Sequence, residues 1–226
     1  MKNFVKYLYM QNLYLISGLG ADQRVFKYLD IHNYNLIPIN WEIPQRRENI
    51  QAYAKRLIAQ IDLSLPVYLL GVSFGGIIAQ EISRLIKVEK LVIISSVKSF
   101  KEYGFNLKLA SCLQIHKITP VFILKHLNLI TANYFFGISN QKDAKLLKSI
   151  IQGTDDQFMV WAINQIMLWK PTENLNTNYI HIQGNLDRIF TNKALHNVHW
   201  IENGGHFMIV DKSNQVSKLV NSFLIS

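Results

Sequence analysis

Residues 69–76 read Leu69-Leu70-Gly71-Val72-Ser73-Phe74-Gly75-Gly76, an apolar strand that stops at a Gly-x-Ser-x-Gly turn, and a helical stretch, Ile77-Ile78-Ala79-Gln80-Glu81-Ile82, begins at once. That is the local pattern of a nucleophile elbow. A serine at the apex of so tight a turn is pushed into sparsely populated backbone angles, and only small neighbours at Gly71 and Gly75 let strand and helix approach closely enough to hold it there. The turn lifts the Ser73 hydroxyl above the carboxyl end of the strand and aims the first N–H groups of the helix at the same space.

Outward from the elbow, short runs rich in Leu, Val, Ile and Tyr recur at residues 13–17, 34–39, 67–72, 90–95, 178–183 and 199–202, each ending in turn chemistry. Their hydrophobicity is nearly continuous, as for strands buried on both faces. Helical patterns lie between the early runs at 22–29, 48–61 and 74–86, with Ile50, Tyr53, Ala54, Leu57, Ile58 and Ile61 on one stripe, and a last helix over about 214–224 closes the chain. Strand alternating with helix predicts an α/β fold with a doubly wound, mostly parallel sheet of about six strands. The rhythm breaks over 97–170, which is far longer than a crossover needs and keeps helical spacing. There Thr154-Asp155-Asp156-Gln157 reads as a capping box leading into a helix over 158–169. We read a single domain, 1–226, with a helical insertion over about 98–170 at one end of the sheet.

Composition bounds the rest. The 226 residues, 49% hydrophobic and 17% charged, suit one ordered domain with a full core. The lone Cys112 excludes an intramolecular disulfide and any multi-cysteine zinc site, which points to a reducing compartment. No stretch approaches the roughly 18 uninterrupted apolar residues of a membrane span, and the start, Met1-Lys2-Asn3-Phe4-Val5, lacks the pattern of a cleaved signal. A cytoplasmic protein without integral membrane contact is expected. The net charge of +9 does not imply nucleic acid, because Lys and Arg are scattered and form no stripe interleaved with aromatics. The local excess at Lys98, Lys101, Lys108, Lys117, Lys125, Lys142, Lys145 and Lys148, against Glu102 and Asp143, reads as a solvated helical surface.

A serine hydroxyl is a poor nucleophile near neutral pH and needs a base in reach, itself oriented by a carboxylate. Candidates follow Ser73 in order. Asp187 comes after the fifth strand, beyond the Gly184 turn, and His206 after the sixth, behind Gly204-Gly205, which free the loop to lay an imidazole across the elbow. All three follow carboxyl ends of strands, where open parallel sheets place their sites. The exit of the first strand, Ser17-Gly18-Leu19-Gly20-Ala21, can turn the Leu19 N–H toward the point faced by the N–H of Phe74, and the two would form an oxyanion hole. Phe26, Trp161, Phe207 and Met208 are candidate pocket walls. Asp22 and Arg24 read as a helix cap and a surface charge, and Asp155 and Asp156 as a helix start. His181 and His199 fall within strands, and His196 and His199 have no nearby acid, so no metal site is expected.

Taken together, Gly71-Val72-Ser73-Phe74-Gly75, the acid at Asp187, the Gly204-Gly205-His206 loop and the Ser17-Gly18-Leu19-Gly20 loop resemble the α/β-hydrolase superfamily over nearly the whole chain. The Ser, Asp, His order is that of the fold. The resemblance implies a sheet order of 2-1-3-4-5-6, a cap domain in the long insertion, and a trimmed sheet lacking the antiparallel strands that usually precede the first parallel one. Many members carry His-Gly where this chain has Ser17-Gly18. The activity so implied is a cofactor-independent serine hydrolase, esterase-like, acting on an ester, thioester or similar acyl bond of a small, partly apolar substrate, as monomer or homodimer. Two alternatives use the same residues: a lyase for cyanohydrin or carbon-carbon cleavage, and a non-catalytic ligand-binding protein on the hydrolase scaffold.

Overall fold

Alternate residues of the first strand belong to different cores, and this places the sheet between two layers of helix. Leu13 and Leu15 pack with Val216, Val220 and Leu224 of the last helix, whereas Tyr14 and Ile16 pack with Tyr53, Leu57, Ile77 and Ile78 of the two helices on the opposite face. The period of two is that of a strand covered on both sides. The structure, a computed structural model, describes residues 10–113, 134–138, 141–171, 175–191 and 195–226.

Six strands, β1 (Gln11–Ile16), β2 (Tyr34–Pro38), β3 (Tyr68–Val72), β4 (Lys90–Ile94), β5 (Tyr179–Gly184) and β6 (His199–Ile201), form one sheet ordered β2-β1-β3-β4-β5-β6. Every pair is parallel, and the order is the one the family resemblance implies. Helix α1 (Ile50–Leu57) and helix α2 (Phe74–Leu85) cover one face. Helices α3 (Phe105–Leu113), α4 (Gln141–Gly153) and α5 (Asp156–Leu168) lie between β4 and β5 in sequence, and α6 (Met208–Asp211) and α7 (Ser213–Ile225) end the chain. The order reverses between β1 and β3, so the loops leaving these two strands open a crevice at their carboxyl ends. Among the described residues no helix is long and apolar enough to cross a membrane.

Three local expectations change. The pattern over 22–29 forms only a 3-10 turn, Gln23–Phe26, capped by Asp22, because Val25, Phe26 and Leu29 each reach the core without a full helix. The pattern over 48–61 is α-helical only to Leu57, starts at the Asn49 cap, and tightens to a 3-10 turn at Ile58–Gln60. In the capping box the cap is Asp155, whose carboxylate accepts the Phe158 N–H at 2.9 Å. Thr154 instead donates its hydroxyl to Ile150 O at 3.0 Å and Gly20 O at 3.2 Å, joining the end of α4 to the loop after β1. The expected insertion over 98–170 falls partly on residues 114–133 and 139–140, which lie outside the described residues, as do Lys117 and Lys125.

Candidate active site

Gly71 and Gly75 fix the turn between β3 and α2 by close approach. A Cβ on Gly75 would sit 2.2 Å from the carbonyl oxygens of Ile16 and Ser17, and one on Gly71 would sit 2.3 Å from Gly75 O. With no room for side chains there, β1, β3 and α2 converge, and Ser73 is forced to φ 55° and ψ −119°. Such a conformation costs a non-glycine residue about 1–3 kcal/mol and persists only where its surroundings over-determine it. Here Ser73 N–H donates to Ile94 O at 2.9 Å, while Ser73 O accepts from Gly76 N–H at 2.9 Å and from the Ser96 hydroxyl at 2.7 Å.

The three residues brought together from distant parts of the sequence are hydrogen-bonded in series. Ser73 Oγ lies 2.9 Å from His206 Nε2, and His206 Nδ1 lies 2.7 Å from Asp187 Oδ2. Both His206 and Asp187 are buried. A buried carboxylate is tolerable only when its lone pairs are satisfied. Asp187 Oδ1 accepts the N–H groups of Ile189 at 2.8 Å and Phe190 at 2.9 Å, and Oδ2 also accepts the Gln183 amide at 2.7 Å. The rings of Phe136 and Phe190 lie 5.2 and 5.7 Å from the imidazole and screen it from water. In such a relay the imidazole can take the serine proton while the carboxylate holds its other nitrogen protonated.

Leu19 and Phe74 follow the carboxyl ends of the neighbouring strands β1 and β3. The loop after β1 closes a turn through Ala21 N–H to Gly18 O at 2.9 Å, with Gly20 at φ 72°, the conformation that a type II turn reserves for glycine at its third position. That bond leaves the Leu19 N–H outside the turn. Phe74 is the first residue of α2, so its N–H has no intrahelical acceptor. Leu19 and Ser73 both line a cavity of about 460 Å³. Its walls come from the loop after β1, from α3, α4 and α5, and from the loops carrying Ile189 and Phe207; Leu107, Leu147, Ile151, Met159 and Ile163 are typical. Ser73 and His206 supply the only polar side chains among the described residues that line it.

Of the four residues expected as pocket walls, Phe207 lines this cavity. Phe26 and Met208 are buried in the core on the α7 side, and neither is among the described lining residues. Trp161 points instead into an aromatic cluster with Tyr53, Phe74 and Phe158, and donates its N–H to Glu48 O at 2.7 Å. Asp22 caps the 3-10 turn and pairs with Arg24 at 2.7 Å, both on the surface. His196 and His199 are exposed, and among the described residues no group of His, Cys, Asp and Glu is gathered as metal ligands would be. Sequence reading missed Trp41, Gln183 and Phe136, which support the loop after β1, the acid and the imidazole. Trp41 had a readable signal: it follows the carboxyl end of β2, the sheet neighbour of β1.

His181, in contrast, is buried beside the site without joining it. Its Nε2 lies 3.0 Å from Ser96 O, and burial, reinforced by the charge of Lys98, pushes its pKa down to about 4. The unfolded imidazole titrates near 6.5, so between about pH 6.5 and 4 the unfolded state binds the extra proton. Stability is therefore lost as pH falls through this window. Between pH 7 and pH 5 the loss from this group is about 2 kcal/mol. Urea midpoints of wild type and His181→Gln at the two pH values check it: the variant is expected to show the shallower pH dependence.

A comparison with protein-family models and another with curated proteins gave no match. Solved structures do match. An esterase (EaEST) from Exiguobacterium antarcticum superposes with a TM-score of 0.73 at 18% identity, over 96% of this chain and 92% of that one. An epoxide hydrolase from Bacillus megaterium gives 0.72 at 12% identity over 96% and 94%, and MenH from S. aureus gives 0.68 at 16% over 95% and 93%. At these identities the likeness is one of fold, and with the sheet order above it is unambiguous: this chain has the α/β-hydrolase fold.

Proposed function

We propose that this protein is a cofactor-independent serine hydrolase that cleaves an ester, thioester or similar acyl bond, with α3, α4 and α5 belonging to a helical cap. The observation that carries the reading is the unbroken hydrogen-bonded series from Ser73 Oγ through His206 to the buried Asp187, at the wall of an apolar cavity. Ser73 attacks the carbonyl as His206 takes its proton. The N–H groups of Leu19 and Phe74 receive the oxyanion, His206 returns the proton to the leaving group, and water then releases the acyl chain from Ser73 by the same route in reverse. Asp187 keeps the proton on Nδ1, so that Nε2 is free to act as base. The neighbouring folds named esterase and epoxide hydrolase are compatible with such chemistry and do not select it. A single cysteine, Cys112, fits a reducing compartment, and we assign the protein to the cytoplasm on that ground.

The cavity also narrows the substrate. Its lining offers no charged side chain among the described residues, so a carboxylate or phosphate on the acyl group would enter unpaired. An aliphatic acyl chain is the group that fits. Burial of a methylene is worth about 0.8 kcal/mol, or roughly fourfold in kcat/KM. Across p-nitrophenyl esters from acetate upward, kcat/KM is expected to climb by up to about that factor per methylene until the cavity is full, and a succinate half-ester is expected to react at least about 100-fold more slowly than butyrate. A flat chain-length profile with good turnover of the charged ester contradicts this assignment. With a slowly deacylated ester, one equivalent of p-nitrophenol released in a burst supports the acyl-enzyme, and its absence in a protein that turns over a cyanohydrin supports the lyase.

A further inference from the structure

We infer that Trp41 is a positioning residue for the oxyanion hole: one indole that sets both proposed donors, the N–H groups of Leu19 and Phe74, in place relative to each other. This rests on the serine-hydrolase reading above. Trp41 Nε1 donates to Ser17 Oγ at 2.9 Å and to Ala21 O at 3.1 Å, and the Ser17 hydroxyl donates to the same Ala21 oxygen at 2.7 Å. Ser17 and Ala21 bracket the turn that carries Leu19. The same indole stacks on Phe74, with ring centres 5.6 Å apart and planes 24° apart. One side chain therefore touches the loop that presents the first donor and the residue that presents the second.

The post itself is rigid. On one side of Trp41, Asn40 exchanges two hydrogen bonds with the Gln60 amide, at 2.9 and 3.0 Å. On the other, the Tyr53 hydroxyl accepts from Glu42 N–H at 3.0 Å and donates to Glu42 O at 2.8 Å. Phe158 of α5 packs against the indole at 5.0 Å. The loop it steadies needs an anchor, because Gly18 and Gly20 give the chain more freedom than an oxyanion hole tolerates. A donor displaced by about 1 Å can cost on the order of 100-fold in rate. Without the indole N–H the buried Ser17 hydroxyl keeps its own bond to Ala21 O but no longer accepts one, and the loop loses its polar tie to the ring.

Trp41→Phe keeps a ring on Phe74 and deletes the N–H. In this variant kcat for a saturating short-chain p-nitrophenyl ester is expected to fall about 10- to 100-fold, with KM within about twofold of wild type and the melting temperature nearly unchanged. Affinity for an alkyl boronic acid, whose tetrahedral adduct on Ser73 places an oxygen in the hole, is expected to fall by the same factor. Ser17→Ala cuts the link without touching the ring and is expected to act in the same direction. The double variant should lose little more than the worse single, since both break one connection. Wild-type kcat in Trp41→Phe and Ser17→Ala, or a drop in melting temperature with kcat and boronate affinity retained, overturns the inference. A fluorophosphonate separates the failures. If wild type and Trp41→Phe react at equal rates, only the role of Trp41 is lost; if folded wild type does not react, the hydrolase reading fails and takes this inference with it.

Discussion

Ser73→Ala is expected to lower ester turnover by at least about 10⁴-fold while leaving the melting temperature within about 2 °C of wild type. The size follows from the chemistry. A serine hydrolase without its nucleophile retains only what binding and oxyanion stabilisation supply, and in a well-characterised triad the loss on removing the serine is about 10⁶ in kcat. The small effect on stability follows from the geometry. Alanine keeps the backbone bonds from Ser73 to Ile94, Gly76 and Ser96, and loses a single hydroxyl contact to His206. Steady-state kinetics on p-nitrophenyl butyrate, with thermal unfolding of the same preparations, measures both. A variant that keeps more than about a tenth of wild-type turnover contradicts the acyl-enzyme.

Gly75→Ala is expected to do the opposite, damaging the fold and the activity together. The added Cβ would meet two backbone carbonyls of the β1 exit at 2.2 Å, and neither Ile16 nor Ser17 can yield, since Ile16 is pinned in the sheet against Gly71. Overpacking against side chains costs about 1–3 kcal/mol, and against backbone the upper end or beyond is expected. For a domain of this length that is a fall of about 6–12 °C in melting temperature. Because the displaced strand exit carries Ser17 and the loop of Leu19, any folded remnant should also have lost its rate. Gly153→Ala is the control. A Cβ there meets nothing within 4 Å, and stability is expected to stay within about 0.5 kcal/mol. Equal tolerance at the two positions would mean that the elbow is looser than its contacts imply.

The features legible in the sequence are those written by local rules. Apolar runs marked all six strands and their alternation with helices a doubly wound, mostly parallel sheet, while the strand order followed only from the family resemblance. Ser73, Asp187 and His206 could be singled out because each follows a strand end and two of them sit beside glycines, which permit close approach at the elbow and a free loop before the imidazole. Pocket walls were another matter. Phe26, Trp161 and Met208 are as apolar as Leu147 or Ile163, and nothing local distinguishes an aromatic that faces a cavity from one that fills a core. The partners of the site were hidden for a related reason. Gln183 is an ordinary strand residue until the turn at Gly184 brings Asp187 back over it, and Trp41 acts on a loop 20 to 24 positions earlier in the chain. Such contacts are set by tertiary approach, to which periodicity is blind.

The measurement that tests the central claim most directly is covalent labelling of the purified protein by a fluorophosphonate, with the modified peptide located by mass spectrometry in wild type, Ser73→Ala and His206→Ala. Stoichiometric labelling on Ser73, abolished by the first change and slowed by at least about 10³-fold by the second, is the result expected of a hydroxyl activated by the His206–Asp187 pair. Folded wild type that remains unlabelled, or label carried by another residue and indifferent to His206, would contradict it.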